Sequence, residues 1–386
     1  MDDRTRGSVY RDLIRSVELA RVVQPVAETR KAAYLQSIAR GVTRLETPSM
    51  ITWNVTNSCT LSCTYCAVDA PCGPADRDSR TRDVVLERIL GLNPVFVSLL
   101  GGEPTLVPEI EHIVRRLISS GIHADITTNG ARVSERFASA MASVDTSLLS
   151  IMLSIDSSDQ KTNDAARGRG AFLTATRAAA RLSTAKVPFA IGMTVTPRNM
   201  HHLRSTYELA CSLGAKYFCS WFVIPAGRAT ISDVALPDEE FVRQAYDVLH
   251  CSETHETKVA RLDLSVAVTK WLREARSEQN VDPMMSEVAS MVGCEGCRYR
   301  ALIDANGDVY PCDFLQAKDF RMGNVLSDDW NSIWHSRPAR FKSLLTRSTK
   351  PGCSSCPMLE CDTGCFGVSY AHFTRSGKLL PMCEVC

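Results

Sequence analysis

The sequence predicts an α/β fold on a parallel sheet, followed by a cysteine-rich tail. Three observations predict it. Between residues 51 and 250, short apolar runs alternate with amphipathic stretches, and repeated βα units place helices outside a parallel sheet. Polar motifs follow the apolar runs directly, where parallel α/β folds bind their ligands. From Cys294 onward, cysteines recur at short spacings.

Composition sets the outer bounds. A chain of 386 residues with 45% hydrophobic content buries a large core and is expected to divide. The expected divisions are a helical segment over 1–50, a core over 51–250, a bridging region over 251–293 and a cysteine-rich domain over 294–386. Net charge is +1, from 44 basic and 43 acidic residues, with no basic stripe, which argues against a nucleic-acid partner. The longest apolar runs, near 95–100 and 148–155, are too short to span a bilayer. The first residues carry no apolar signal region. A cytoplasmic protein is expected, and cytosolic cysteines hold metals or do chemistry more often than they form disulfides.

The elements follow in order. Leu13, Ile14, Val17 and Leu19 or Ala20 fall near one helical face, and 31–38 is a second amphipathic stretch. This segment is expected to cap the core. Strands are predicted at 51–55, 95–100, 124–127, 148–155, 189–195 and 217–223. Helices are predicted near 83–90, 109–120, 135–142, 171–182, 199–213 and 238–250. The helix over 109–120 has apolar spacing of period 3.6 and Gly121 as its stop. In the bridging region, 262–268 is a candidate strand.

Cys59, Cys63 and Cys66 follow the first strand with C-x3-C-x2-C spacing. Four thiolates close an iron–sulfur or zinc site, whereas three leave a coordination position open. Gly101, Gly102, Glu103 and Pro104 follow the second strand, Thr127 to Gly130 the third, and Ser154 to Asp156 the end of the fourth. Structural zinc is the competing reading of the cysteines. Together, the triplet and the Gly-Gly-Glu-Pro motif resemble the radical S-adenosylmethionine (SAM) enzymes. The resemblance implies a partial (β/α)6 TIM-type barrel. It implies that Cys59, Cys63 and Cys66 hold a [4Fe–4S] cluster whose open iron takes the amino and carboxylate groups of SAM. By the same resemblance Tyr65 packs near adenine. Gly101, Gly102 and Glu103 meet the SAM amino group. Thr128, Asn129 and Ser154 contact the ribose. Arg167 pairs with the SAM carboxylate, as a guanidinium does well.

A second constellation runs Cys294-x2-Cys297-x9-Gly307-x4-Cys312, then Cys353-x2-Cys356-x4-Cys361-x3-Cys365, then Cys383 and Cys386. Residues 301–310 alternate and turn at Asn306-Gly307, which predicts a hairpin with a type I′ turn. That hairpin would bring Cys297 and Cys312 together at its open end. A zinc ribbon is the competing reading. The pattern resembles the SPASM extension of radical SAM peptide maturases, with one residue fewer than usual between Cys356 and Cys361. The resemblance implies two auxiliary [4Fe–4S] clusters, three in all. The first takes Cys294, Cys297, Cys312 and Cys365. The second takes Cys353, Cys356, Cys361 and Cys383, with Cys386 competing for the last place. Asp313 is implied to accept a proton from the substrate radical, and an anionic cluster beside it would raise its pKa. Cys72, Cys211, Cys219 and Cys251 are expected to be passive.

The resemblance implies a radical SAM/SPASM oxidoreductase. Such an enzyme cleaves SAM reductively to a 5′-deoxyadenosyl radical and abstracts a substrate hydrogen. The auxiliary clusters then help complete a crosslink, decarboxylation or desaturation of a ribosomally made peptide. Residues 302–312 and 323–326 resemble the mycofactocin- and pyrroloquinoline-quinone-type maturases. An external electron donor of flavodoxin or ferredoxin type is implied. Residues 1–50 are too few for a fused peptide-recognition domain, so leader binding would fall to a separate small protein. The alternative is a dehydrogenase or epimerase of a small metabolite, such as an aminocyclitol or sugar in natural-product biosynthesis. A non-catalytic electron-transfer protein is a third reading, which failure to bind SAM would revive.

Overall fold

A computed structural model describes residues 45–73, 79–235, 237–262, 296–336 and 365–377. The expected N-terminal helices lie outside these residues, as do Cys294, Cys353, Cys356, Cys361 and Cys383.

One ten-stranded sheet organises what is described. Its first six strands are β1 (Met50–Asn54), β2 (Phe96–Leu100), β3 (His123–Thr128), β4 (Leu149–Ser154), β5 (Ala190–Val195) and β6 (Tyr217–Phe222). They pair in sequence order and in parallel. The helices between and after them are α1 (Ser79–Leu92), α2 (Ile110–Ser119), α3 (Glu135–Ala142), α4 (Gln160–Arg167), α5 (Ala171–Thr184), α6 (Leu203–Ser212) and α7 (Glu239–Thr254). This is a partial TIM-like barrel. No helix among the described residues is long and apolar enough to cross a membrane.

Alternation explains the two faces of the sheet. Ile51, Trp53, Val97, Leu99, Ala124 and Ile126 join the buried core. So do Ile113, Val114 and Leu117 of α2, spaced to form one helical stripe. Neighbouring positions point to the opposite face. There the register aligns Thr52, Ser98, Asp125 and Ser150 in a polar row across four strands. Each motif read from the sequence falls at a strand's carboxyl end, on the rim of this polar face.

Three features depart from the expectations. Residues 160–167 form α4, started by Asp159, whose carboxylate accepts from Thr162 N at 2.7 Å. No helix is expected there from the sequence, and Arg167 ends it. The bridging region takes in the end of α7 and then β7 (Lys258–Leu262), which pairs in parallel with β6 as the sheet's edge. The candidate strand at 262–268 overlaps it only at Leu262, and the rest lies outside the described residues.

The hairpin is β8 (Arg300–Ile303) and β9 (Asp308–Tyr310), with β10 (Gly323–Asn324) outside it. Its turn is not type I′. Only Gly307 is left-handed, at φ 83°. Asp304 supplies the rest of the turn: its carboxylate accepts from Asn306 N at 2.9 Å and Asp308 N at 2.8 Å. Gly307 N donates to Asp304 O at 3.0 Å. A type I turn closed by one left-handed glycine needs no positive φ at Asn306. β8 also pairs in parallel with β1, from Met50↔Arg300 to Trp53↔Ile303. The cysteine-rich hairpin thus extends the barrel sheet itself. α8 (Trp330–His335) and α9 (Phe366–Ser376) follow.

Candidate functional site

The cysteine loop is fixed by its backbone. Cys59 N donates to Pro71 O at 2.9 Å, and Gly73 N donates to Cys59 O at 3.0 Å. The Gly-Gly-Glu-Pro motif presses against its first residues. Gly102 N donates to Thr56 O at 2.9 Å, and Glu103 N to Ser58 O at 2.8 Å. A Cβ on Gly101 would lie 2.2 Å from Thr56 O, and one on Gly102 would lie 2.0 Å from Ser58 O. The two glycines are therefore a packing requirement of the loop, since only a missing Cβ allows this approach.

Glu103 is 1% exposed. It accepts from Thr105 N at 3.0 Å, from the Thr105 and Thr128 hydroxyls, and from Asn129 N at 2.8 Å. Burial raises its pKa, and these four bonds oppose the rise. Asn129 turns back to the cysteines: its Nδ2 donates to Thr60 Oγ1 at 2.9 Å and to Cys59 Sγ at 3.7 Å. Thr128 and Asn129 thus gather at the loop, as Glu103 does. Ser154 ends β4, half-buried.

On the other side of the loop, Tyr65, Asp156 and Arg167 form one buried network. The Tyr65 hydroxyl donates to Asp156 Oδ2. Arg167 Nη1 donates to Tyr65 Oη at 2.9 Å and to Asp156 Oδ2 at 3.1 Å. Asp156 also accepts from Thr194 N at 2.9 Å, while its own N–H donates to Asn163 Oδ1 at 2.9 Å. Burial pushes the Tyr65 hydroxyl well above its usual pKa. The neighbouring negative groups hold Arg167 protonated against its burial. No motif in the sequence singles out Asp156 beyond the end of the fourth strand; its position directly after that strand is the signal.

The thiols fit an iron–sulfur cluster. Burial pushes Cys59 up to about 11, and negative charge on Glu103, Cys63 and Cys66 adds to the rise. Burial also raises Cys63. Such thiols stay protonated by themselves, and coordination to a cationic centre deprotonates a thiol outright. Among the described residues no three Cys, His, Asp or Glu side chains converge as ligands of one ion. A cubane asks for something else, because each of its irons takes its own thiolate.

The cysteines of the second constellation are described in part. Cys297 and Cys312 are buried at the two ends of the hairpin. Cys297 Sγ lies 3.5 Å from Met322 Sδ. Cys365 caps α9, whose Phe366 packs on Phe320 at 6.0 Å. The tail therefore docks against the hairpin region. Asp313 pairs with Arg300, so its charge meets a cation directly. Arg300 Nη2 also donates to Thr52 Oγ1 at 3.1 Å. Asn54 Nδ2 donates to Gln316 Oε1 at 3.1 Å. These bonds stitch the segment after Cys312 to the polar face of β1. A cavity of about 210 Å³ lies beside it, lined by Ala67, Gly227, Asp313, Phe314, Gln316 and Tyr370. Asp313 Oδ1 is buried and accepts no hydrogen bond among the described residues.

Comparison with known proteins matches the same regions. The family model of the Radical SAM superfamily covers residues 53–210. The SPASM model, an iron-sulfur cluster-binding domain, covers 294–357. Mycofactocin maturase MftC of Mycobacterium ulcerans is 28% identical over 332 residues, 84% of this chain and 85% of that protein. An AdoMet-dependent heme synthase of Methanosarcina barkeri is 25% identical over 338 residues, 84% of this chain and 93% of that protein. In fold, the chain resembles Streptococcus suis SuiB bound to precursor peptide SuiA. That match has a TM-score of 0.70 and 18% identity, over 93% of this chain and 80% of that one. The Radical SAM match takes in the cysteine loop and its Gly-Gly-Glu-Pro rim, and the SPASM match takes in the cysteine hairpin built onto the same sheet. The chain is thus a radical SAM enzyme with a SPASM domain, and the two domains imply [4Fe–4S] clusters and SAM.

Proposed function

We propose that this enzyme matures a ribosomally made peptide. One observation carries the reading. β8, which leads from Cys297, pairs with β1, which leads to Cys59. The two cysteine regions are therefore joined through neighbouring strands, with Asp313 and a cavity beside them. Similarity to a maturase over most of both chains supports a peptide substrate.

Cys59, Cys63 and Cys66 would hold the SAM-binding cluster. Tyr65, Gly101, Gly102, Glu103, Thr128, Asn129, Ser154 and Arg167 would line the SAM site. Cys294, Cys297, Cys312 and Cys365 would hold one auxiliary cluster, and Cys353, Cys356, Cys361 and Cys383 the other. The core is assigned 51–262, lengthened from 250 to include β7, with the SPASM domain from 294. Bound there, SAM and its cluster supply hydrogen-atom abstraction from an unactivated carbon. Glu103 holds a buried negative charge that suits an ammonium group. Arg167 Nε takes no partner among the described residues, which leaves a donor for a carboxylate. Asp313 Oδ1, buried and without a hydrogen-bond donor among the described residues, would take a proton from the substrate after hydrogen loss. Crosslinking, decarboxylation and desaturation all fit this arrangement, with electrons supplied by a flavodoxin- or ferredoxin-type donor and the leader held by a separate protein.

The heme synthase relative favours a second reading, a tetrapyrrole substrate in the same site. Anaerobic 5′-deoxyadenosine formation by the reconstituted enzyme separates them. Stimulation by the retained, protease-sensitive fraction of a native extract supports a peptide. Protease-resistant stimulation in that fraction favours a tetrapyrrole. Stimulation by the dialysable fraction overturns the peptide reading in favour of a small metabolite.

A further inference from the structure

The loop after β6 grips the cysteine loop more extensively than the binding of SAM accounts for. Arg228 N donates to Cys66 O at 2.9 Å. Its side chain donates to Cys63 O at 2.9 Å, to Asp69 Oδ1 at 2.8 Å and to Ala70 O at 3.0 Å. Two cysteine carbonyls and the two residues that leave the following turn, Asp69 and Ala70, therefore meet one residue. Gly227 presses on the same backbone: a Cβ there would lie 2.2 Å from Cys66 O.

The loop is itself held from the other domain. Arg375 lies on α9, the helix that begins after Cys365. Its Nη2 donates to Gly227 O at 2.5 Å and to Ala229 O at 3.1 Å. These are the carbonyls on either side of Arg228. A guanidinium fork suits this task, because it holds several acceptors in fixed directions where an ammonium is a point charge.

We propose that Arg228 and Arg375 are positioning residues: Arg228 sets the backbone of Cys63 and Cys66, and Arg375 ties that setting to the C-terminal helix of the SPASM domain. This rests on the reading of Cys59, Cys63 and Cys66 as the ligands of the SAM-binding cluster. Its consequence is that a change at α9 alters how the cluster meets SAM, although α9 carries none of the residues assigned to SAM. The cavity lined by Asp313 shares Gly227 and Arg375 as walls. A substrate entering it touches the relay directly.

The test uses the full-length, anaerobically reconstituted enzyme and the difference in the EPR spectrum of the reduced protein with and without SAM. That difference isolates the cluster that SAM touches, whatever other clusters are present. Arg228→Ala is expected to weaken SAM binding read this way by about tenfold, and Arg375→Ala by about threefold, as charge-assisted bonds are lost. Arg228→Lys is not expected to restore it, since one ammonium cannot replace the fork. Arg115→Ala is the control. Arg115 bonds Ala140 O and Ser143 Oγ on an exposed surface, and its loss is expected to leave the difference spectrum unchanged.

A wild-type spectrum and affinity in Arg375→Ala overturn the proposal, and so does full rescue by Arg228→Lys. Arg375 is exposed, so Arg375→Ala decides the matter even if Arg228→Ala fails to fold. A wild-type enzyme with no spectral response to SAM overturns the assignment of the cysteine loop instead.

Discussion

Two buried carboxylates flank the cysteine loop, and they are stabilised in opposite ways. Glu103 and Asp156 are each 1% exposed. Asp156 faces a cation, Arg167, and shares the Tyr65 hydroxyl with it. Glu103 accepts only neutral donors, two threonine hydroxyls and two backbone N–H groups. One side of the loop is thus self-neutralised and rigid. The other holds a charge that the described residues do not balance. The difference is what supports our proposal for SAM: its ammonium beside Glu103, and its carboxylate at the donor Arg167 has left.

The largest effect expected from this comparison is at Asp156. Asp156→Ala leaves Arg167 buried and unpaired, at an expected cost of about 3–5 kcal/mol. Denaturant unfolding under anaerobic conditions measures it. A loss near zero would mean that the network is dispensable and the two sides are alike.

Next comes Gly102→Ala. Its Cβ meets the Ser58 carbonyl, a backbone atom that cannot rotate away. The expected cost is about 1–3 kcal/mol, with a lower iron content per chain. Full iron content and unchanged stability would show that the loop relaxes freely.

Glu103→Gln separates charge from shape. The amide must present either its oxygen or its NH2 to Asn129 N, and one donor of the set goes unsatisfied. A stability loss of about 1–2 kcal/mol is expected. SAM affinity should fall about tenfold if the ammonium sits there, as equilibrium dialysis would show. Unchanged affinity would remove Glu103 from the SAM site and leave it a strut between β2 and β3.

Much of this was legible in the sequence, for definite reasons. The first six strands fall within one or two residues of expectation because each is a short apolar run set between amphipathic stretches. The motifs were legible because each follows its strand. α4 was not: its buried residues are Asn163, Ala166 and Arg167, so no apolar stripe announced it. The pairing of β8 with β1 spans about 250 positions, as Ser49 and Tyr299 also do, and local periodicity carries no record of such a partner. The hairpin was legible from Asn306-Gly307, but its turn type was decided by Asp304, whose side chain does the work of a second left-handed residue. Arg228 left no local signal. Only its place after β6, at the same rim as the other motifs, pointed to it.

A third carboxylate sharpens the comparison with the smallest effect. Asp125 lies in the polar row on the inner face and has neither device of the other two. Its one named partner is the Ser98 hydroxyl, at 2.8 Å. Burial pushes it from 3.8 up to about 6. The folded protein therefore binds this proton more tightly than the unfolded chain. In that window the native state holds more protons, so stability falls as pH rises and levels off above the folded pKa. From about pH 5 to about pH 7 the loss attributable to Asp125 is about 1 kcal/mol. Asp125→Asn cannot ionise, so the difference between variant and wild type should move by that amount, in the variant's favour, as pH rises. A difference that stays flat with pH would mean that Asp125 has found a charge partner of its own, as Asp156 has.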